Sequence, residues 1–592
     1  MNVYVSTALS FLSGLALFLY GMRFMSDELE RASGERLKKY FERISGGIVR
    51  SFFLGTAITA LIQSSSATTV IVIGLLNAGI IDLTAACGVI IGANLGTTIT
   101  SWILSLTEIS SPSLALQLID PEFFAPVIAL IAIFTRLFAK KLRTHGLAGL
   151  LLGFSVLMIG MNLMTASLLP FETAESFSAI VGFLKDPVTA LAIGIAITAL
   201  IQSSSASVGI LQALSITGMI PYSAVIPLVM GQNIGACATA LLSSIGTNKN
   251  AKRAALIHLY YNVIGAIVIS VLFYSFAYAA KPSFLSADAS PSGIALTHTL
   301  FNLASTFLLL PFAKQLEKLA ILSIPDKKSD KKQISERSPI LDDRFLNSPA
   351  LALSVSRDAF GGLTDRYFEA ARYTMHHIKN EADERKSFID LSLALDKNEE
   401  AKDFLREYLL RIDSSALGQS DKRELCRIIN SLEELGNIGA QTGRISAIIS
   451  QMRNKYSDPL LYTNSELDAL LLAVDRLIDI TRDAIVNDNT EKAHDTEPLV
   501  RLIEAIAEEL KIRRTTRMIS GNAPSEGLLY SELIGAVEKL ALSCSALSRN
   551  VIKAHFGGSA FDFREYIKSY EGSPEFDAAY RMLKKRFSIS HL

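Results

Sequence analysis

Charge is scarce in the first part of this chain. Of 57 basic and 57 acidic residues, 32 fall within positions 1–323 and 82 in the remaining 269. The formal net charge is zero, so no basic excess marks the chain for nucleic acid. Cysteine is nearly absent. Cys87, Cys237, Cys426 and Cys544 show no metal or redox spacing, and they read as small hydrophobes. The N-terminus "MNVYVSTALSFLSGLALFLYGM" lacks a basic leader and a clear cleavage site, so it reads as a retained first span.

What fills the first part is apolar sequence. Runs near the length that crosses a bilayer as helix lie at about 5–25, 48–80, 83–106, 123–139, 147–169, 187–219, 221–245, 254–280 and 294–313. Two of them, 48–80 and 187–219, are too long for one span, and each is interrupted by "QSSS". Loop charge decides how they run, because short cytoplasmic loops collect Lys and Arg. The loop with Arg31, Arg36, Lys38, Lys39 and Arg43 is then inside. If each QSSS segment enters and returns on one side, 107–122 is outside without a basic residue, and Lys140, Lys141 and Arg143 are inside. Residues 170–186 are then outside with Glu172, Glu175 and Asp186, and Lys249, Lys252 and Arg253 are inside. The expected fold is all-α: about seven spans plus two re-entrant helical hairpins, with an outside N-terminus and a cytoplasmic C-terminal part. The first basic loop, with Leu29, Leu37, Tyr40, Phe41 and Ile44, reads as an amphipathic helix along the inner surface.

Residues 57–67 and 196–206 are identical. The same offset of 139 relates "YGM" at 20–22 to "IGM" at 159–161 and "GANLGTTIT" at 92–100 to "GQNIGACAT" at 231–239. This is a duplication of roughly 15–141 and 154–280. Each copy crosses the membrane three times, so the second is inverted, an arrangement of secondary transporters whose site lies at broken helices near the midplane.

A hairpin tip in a bilayer leaves backbone groups unpaired and must face protein or a polar cavity. The half-helix that starts at each Ser run offers free N–H groups, which suit an anion. Ser64, Ser65, Ser66 and Ser203, Ser204, Ser205 add hydroxyls that both donate and accept. In the two GxNxG stretches, the glycines are expected to break the helix. Asn94 and Asn233 then offer an amide to an anion or an oxygen to a cation. Gln63, Gln202, Thr97, Thr100 and Thr239, with the freed carbonyls, are hard oxygen ligands suited to sodium. One such cluster alone is as readily helix-packing material. Two copies, with Gly92 and Gly231 each 28 residues after the first Ser, argue against packing alone. His258 with Asn262 and His298 with Asn302 recur at i, i+4, and interhelical hydrogen bonding outweighs a proton relay. Asp82 reads equally as a helix cap or a tuner of cation binding. Arg23 and Arg136 near span ends are expected to snorkel.

The doubled "QSSSA", the doubled GxNxG, "IHLYYN" and "THTLFN" resemble the bacterial members of the type II sodium–phosphate cotransporter family, over about 1–320. The resemblance implies elevator-like alternating access with both hairpins at the site. It implies phosphate at the six serines with Asn94 and Asn233, and sodium at Gln63 with Thr97 and Thr100 and at Gln202 with Thr239. Ala236 stands where the first copy has Thr97, leaving the second sodium site weakened, lost or completed by backbone oxygens.

Residues 324–346 read as a charged linker and 554–592 as a polar tail. Between them, helical periodicity runs at 348–379, 383–413, 422–453, 464–489, 494–518 and 526–553, as two three-helix units. "ALDKNEEAKDFLREYLLRI" and "SLEELGNIGAQTGRIS" resemble a PhoU-like domain, here over 347–553. That family often binds metal clusters through Glu four residues before Asp. Here Glu433 is followed by Asn437 and Glu538 by Leu542, so no metal is expected. The expectation is a non-enzyme of the bacterial inner membrane, without a cofactor, with phosphate, sodium and the lipid bilayer as partners and a homodimer open to it. Its expected activity is sodium-coupled phosphate symport. The alternatives are a phosphate exporter or anion channel using the same site, and a membrane-anchored PhoU-like regulator.

Overall fold

Uncharged apolar sequence folds as helix in a membrane because helix alone pairs its own backbone without water. The computed structural model describes residues 3–42, 47–108, 121–138, 142–168, 182–184, 186–218, 220–325, 341–378, 384–455, 465–519, 527–556 and 563–587. These are helical almost throughout and contain no strand beyond one isolated bridge, Pro221 with Asp288. The chain divides into two compact units, Met1–Leu351 and Ala352–Leu592.

The first unit holds α1 (Val3–Glu42), α2 (Ile48–Ile62), α3 (Ser65–Asn77), α4 (Leu83–Leu104), α5 (Pro121–Phe138), α6 (Leu142–Leu168), α7 (Pro187–Ile201), α8 (Ser204–Ser215), α9 (Tyr222–Ser243), α10 (Lys249–Ala280), α11 (Pro291–Leu309) and α12 (Ala313–Ser323). Six stretches are long and apolar enough to cross a membrane: Val5–Leu29, Leu83–Thr107, Thr144–Leu168, Tyr222–Ser243, Lys249–Ala280 and Pro291–Ser323. The seventh expected span, 123–139, is the shorter apolar α5. The expected amphipathic segment is no separate helix, since α1 runs unbroken to Glu42. The loop stretches 109–120, 139–141 and 169–181, which carry much of the charge argument, lie outside the described residues.

Glycines set the packing. α1 lies against α6 at backbone contact: a Cβ on Gly21 would sit 2.3 Å from Leu157 N, and one on Gly160 2.3 Å from Phe18 N. Small residues allow such approach where no hydrophobic effect drives helices together. Arg136 does not snorkel. Its Nη1 meets Glu28 Oε1 at 3.0 Å and its guanidinium lies over the Phe24 ring at 5.1 Å. Glu28 is buried, and a buried carboxylate needs a charged partner. Asp82 caps α4, accepting from Ala85 N at 2.7 Å.

Residues 341–348, of which 341–346 read as linker in sequence, fold onto this unit. Phe345 is buried against Gly74 of α3, Asn77 donates to Asp342 at 2.6 Å, and Arg344 donates to Ser243 O at 2.8 Å. Further back, Arg253 donates to Ile324 O through Nε and Nη2 and Lys249 to Pro325 O. Residues 326–340 lie outside the described residues.

The second unit contains α13 (Pro349–His377), α14 (Glu384–Leu410), α15 (Gln419–Lys455), α16 (Ser465–Val486), α17 (Thr490–Ile519) and α18 (Gly527–Phe556), close to the six periodic segments. The tail adds α19 (Phe563–Glu571) and α20 (Pro574–Arg586). α15 and α18 pack together, with Ile428, Leu435, Ile438, Leu540, Leu547 and Val551 buried. Glu424 lies in this unit with Arg427 (2.7 Å) and Arg357 (2.8 Å). Burial alone would raise its carboxyl, but the Arg427 hydrogen bond and the charges of both arginines hold it below the ordinary 4.5. Its stabilisation is therefore whole above pH 4.5 and is lost as pH falls through the lower folded-state value. Hydrogen exchange of α13 and α15 amides is expected to accelerate below that pH in the native chain. In Glu424→Gln it should already be fast at neutral pH, at a cost of about 3 kcal/mol for leaving a buried charge unpaired.

Candidate functional site

Each QSSS run is a helix break with the same geometry. Gln63 (φ 59°, ψ 25°) and Gln202 (φ 59°, ψ 23°) end α2 and α7 in the left-handed region, which β-carbon residues rarely occupy. The next residue, Ser64 or Ser203, is extended and caps the following helix, accepting from Ala67 N or Ala206 N, each at 3.2 Å. The chain doubles back. Thr59 Oγ1 reaches Thr68 Oγ1 at 3.1 Å, and Thr198 Oγ1 reaches Ser207 Oγ at 2.8 Å, although nine residues of straight helix would rise about 13 Å. Both long runs are thus helical hairpins.

The two tips meet. Ser66 Oγ donates to Gln202 O at 3.4 Å. α3 packs on α9, while α8 packs on α4, so each hairpin's second arm lies against the GxNxG helix of the other copy. Ser65, Ser204 and Ser205 are buried, and none of their hydroxyls bonds a described residue. They stand in the first turns of α3 and α8, where backbone N–H groups have no helical partner.

The GxNxG stretches differ from the sequence expectation. α4 and α9 run straight through them, so no carbonyl is freed there. The glycines serve close approach instead: a Cβ on Gly92 would stand 2.0 Å from Phe52 O, and one on Gly231 2.1 Å from Leu191 O. Gly96 and Gly235 face α2 and α7 in the same way. Asn94 and Asn233 turn their Nδ2 groups onto their own helices, to Ile90 O (3.1 Å) and Val229 O (2.9 Å). Thr97 likewise donates to Ala93 O at 3.0 Å.

Thr100 Oγ1 donates to Gln63 Oε1 at 2.8 Å. Its counterpart Thr239 reaches only the backbone, Gln202 O, at 3.5 Å. Gln63 is buried, whereas Gln202 is exposed. His258 Nε2 meets Asn94 Oδ1 at 3.4 Å, and His298 Nδ1 meets Ser101 Oγ at 2.7 Å, both across helices. Their partners Asn262 and Asn302 bond back to His258 O and His298 O. The sequence reading missed Gln212, which donates to Ser101 O and Pro291 O, and Gln232, which donates to Ser207 O. It also missed Ser26, whose hydroxyl donates to Ile62 O at the first tip. A glutamine in an apolar span is a signal for Gln212 and Gln232.

The family model for the Na+/Pi-cotransporter matches residues 17–166 and 167–282. Residues 17–282 are thus similar to the Na+/Pi-cotransporter family. Among the relatives of this chain is a candidate inorganic phosphate export protein, YjbB, of Escherichia coli (strain K12), 25% identical over 446 residues, 74% of this chain and 77% of that protein. YqeW of Bacillus subtilis, of uncharacterised function, is 27% identical over 323 residues, 54% of this chain and 99% of that protein. Sodium-dependent phosphate transport protein 2A of Rattus norvegicus is 35% identical over 92 residues, 14% of each chain. No solved structure matches. The protein is thus a polytopic all-α membrane protein similar to a phosphate-transport family.

Proposed function

We propose that this protein moves inorganic phosphate across the bacterial inner membrane, coupled to sodium, by alternating access. The observation that carries the reading is the meeting of the two hairpin tips, Ser66 on Gln202 O at 3.4 Å. The anion would lie between the two tips. Ser65, Ser204 and Ser205 would donate to it, with the N-terminal amides of α3 and α8, while Ser66 closes the gap between tips and Ser64 and Ser203 hold the turns. Phosphate would be recognised by dipoles rather than by a fixed cation, so sodium offsets its charge. Sodium would sit at Gln63, Thr97 and Thr100 on one side and at Gln202 and Thr239 on the other. Asn94 and Asn233, each with one amide hydrogen committed to its own helix, would turn the rest of the amide to the ions and so sit at the boundary between them. Ala236 and the long Thr239 contact make the second cation site the weaker.

In this reading the two copies are inverted about the membrane plane, the N-terminus is outside, and the PhoU-like unit is cytoplasmic and regulatory. The name of the Escherichia coli relative favours a second reading for direction, export through the same site. Labelled phosphate flux into proteoliposomes, with and without an inward sodium gradient, decides between them. Sodium-driven uptake supports symport. Flux indifferent to sodium supports an exporter or channel, and absent flux favours a regulator.

A further inference from the structure

The repeat offset that relates the two tips also relates the helices that brace them. "GMRFMS" at 21–26 is matched by "GMNLMT" at 160–165, so Ser26 of α1 corresponds to Thr165 of α6. Likewise Ile62, the last helical residue before the first tip, corresponds to Ile201 before the second. The residue types agree, but the hydrogen bonds do not. Ser26 Oγ donates to Ile62 O. Thr165 Oγ1 is buried with no hydrogen-bond partner. Yet Ile201 packs into the same apolar cluster as Met161 and Met164, so the last turn of α7 lies beside the part of α6 that carries Thr165.

A buried hydroxyl without a partner is costly and needs a reason. Here the reason is in the other copy, where the equivalent hydroxyl is satisfied. The surroundings differ in the same sense. α1 packs on α2, the first arm of its hairpin, whereas α6 packs on α8, the second arm of its own. Gln63 and Ile62 are buried, while Gln202 is exposed and Ile201 is only partly covered. Ser66 reaches Gln202 O, but its counterpart Ser205 has no such bond to Gln63 O. One hairpin is clasped and the other is released.

We propose that Ser26 and Thr165 are positioning residues that clasp the two tips in turn: Ser26 holds the Ile62 carbonyl in the conformation seen here, and Thr165 takes the Ile201 carbonyl in the opposite one. An inverted duplication supplies both conformations from one sequence pattern, because each copy adopts in one state what the other adopts in the second. The exchange trades one hydrogen bond for an equivalent one, so neither state is strongly favoured and a bound ion can tip the balance. The proposal rests on the alternating-access reading of the site, but its labelling readout uses neither phosphate nor sodium.

The test reads exposure of the two tips. Gln63→Cys and Gln202→Cys are made separately in a Cys426→Ala background, the other three cysteines being buried. Each is labelled in full-length protein in proteoliposomes with a water-soluble maleimide. The expected parent behaviour is faster labelling at 202 than at 63. Adding Ser26→Ala should lower the ratio of the two rates about fivefold, the factor that one net hydrogen bond supplies. Adding Thr165→Val should raise it, and Thr165→Ser should leave it at the parent value. Thr165→Val keeps the side-chain volume and carries the test alone if Ser26→Ala does not yield monodisperse protein. A ratio that stays put, or moves the same way in both variants, overturns the clasp. Phosphate flux is read separately, in Ser26→Ala and Thr165→Val without the added cysteines, because Gln63 and Gln202 belong to the proposed sodium sites; normal flux with an unmoved ratio removes the clasp alone. A shifted ratio without any flux removes the transport reading and leaves the clasp standing.

Discussion

Phosphate uptake into proteoliposomes is expected to fall at least about tenfold in Ser65→Ala and again in Ser204→Ala, while yield and monodispersity stay at the parent level. A hydrogen bond to a charged group contributes about 1.5–3 kcal/mol, which is roughly ten- to a hundredfold in binding or rate. Both hydroxyls are buried in the first turn of a half-helix and bond no described residue, so their removal costs the fold little. The neighbouring caps behave differently. Ser64→Ala and Ser203→Ala lose the bonds to Ala67 N and Ala206 N, and should lower stability by about 1 kcal/mol. Undiminished uptake in both Ser65→Ala and Ser204→Ala would place the anion elsewhere.

The second large effect concerns assembly. Gly92→Ala and Gly231→Ala should abolish recovery of folded protein, seen as loss of the monodisperse peak in size-exclusion chromatography. The added methyl would stand 2.0 Å from Phe52 O in one case and 2.1 Å from Leu191 O in the other. Both obstacles are backbone atoms of a packed helix, so no side chain can swing aside, and overpacking costs about 1–3 kcal/mol even where atoms can shift. Gly146→Ala is the control, with nothing within 4 Å of its new Cβ. Normal recovery of Gly92→Ala would mean that α2 and α4 are further apart than described.

The hairpins were legible because a polar cluster inside an overlong apolar run can be accommodated only by a bend, and because the bend occurs twice at one offset. The role of Gly92 and Gly96 was not. A glycine that loosens a backbone and a glycine that admits a neighbouring helix look alike in sequence, and only the partner atoms, here Phe52 O and Thr56 O, separate them. Arg136 was misread for a related reason. Its position near a helix end fits snorkelling, and its carboxylate partner lies 108 positions away, at Glu28. The amide hydrogens of Asn94 and Asn233 look available in sequence, but in an apolar helix the nearest acceptor is the carbonyl one turn back. Ser26 and Thr165 gave no local signal, since a lone hydroxyl in a span is ordinary. They stand out only when the duplication register is extended past its best-matching stretches.

Pro325 and Asp342 are both tied to the corner where α3 ends and α10 begins, through Lys249 and Asn77. The two described ends that flank 326–340 are therefore held at one anchorage. A cut within 326–340 would therefore leave the Phe345 plug seated on Gly74, since Asp342 and Arg344 hold it from their own side of the cut.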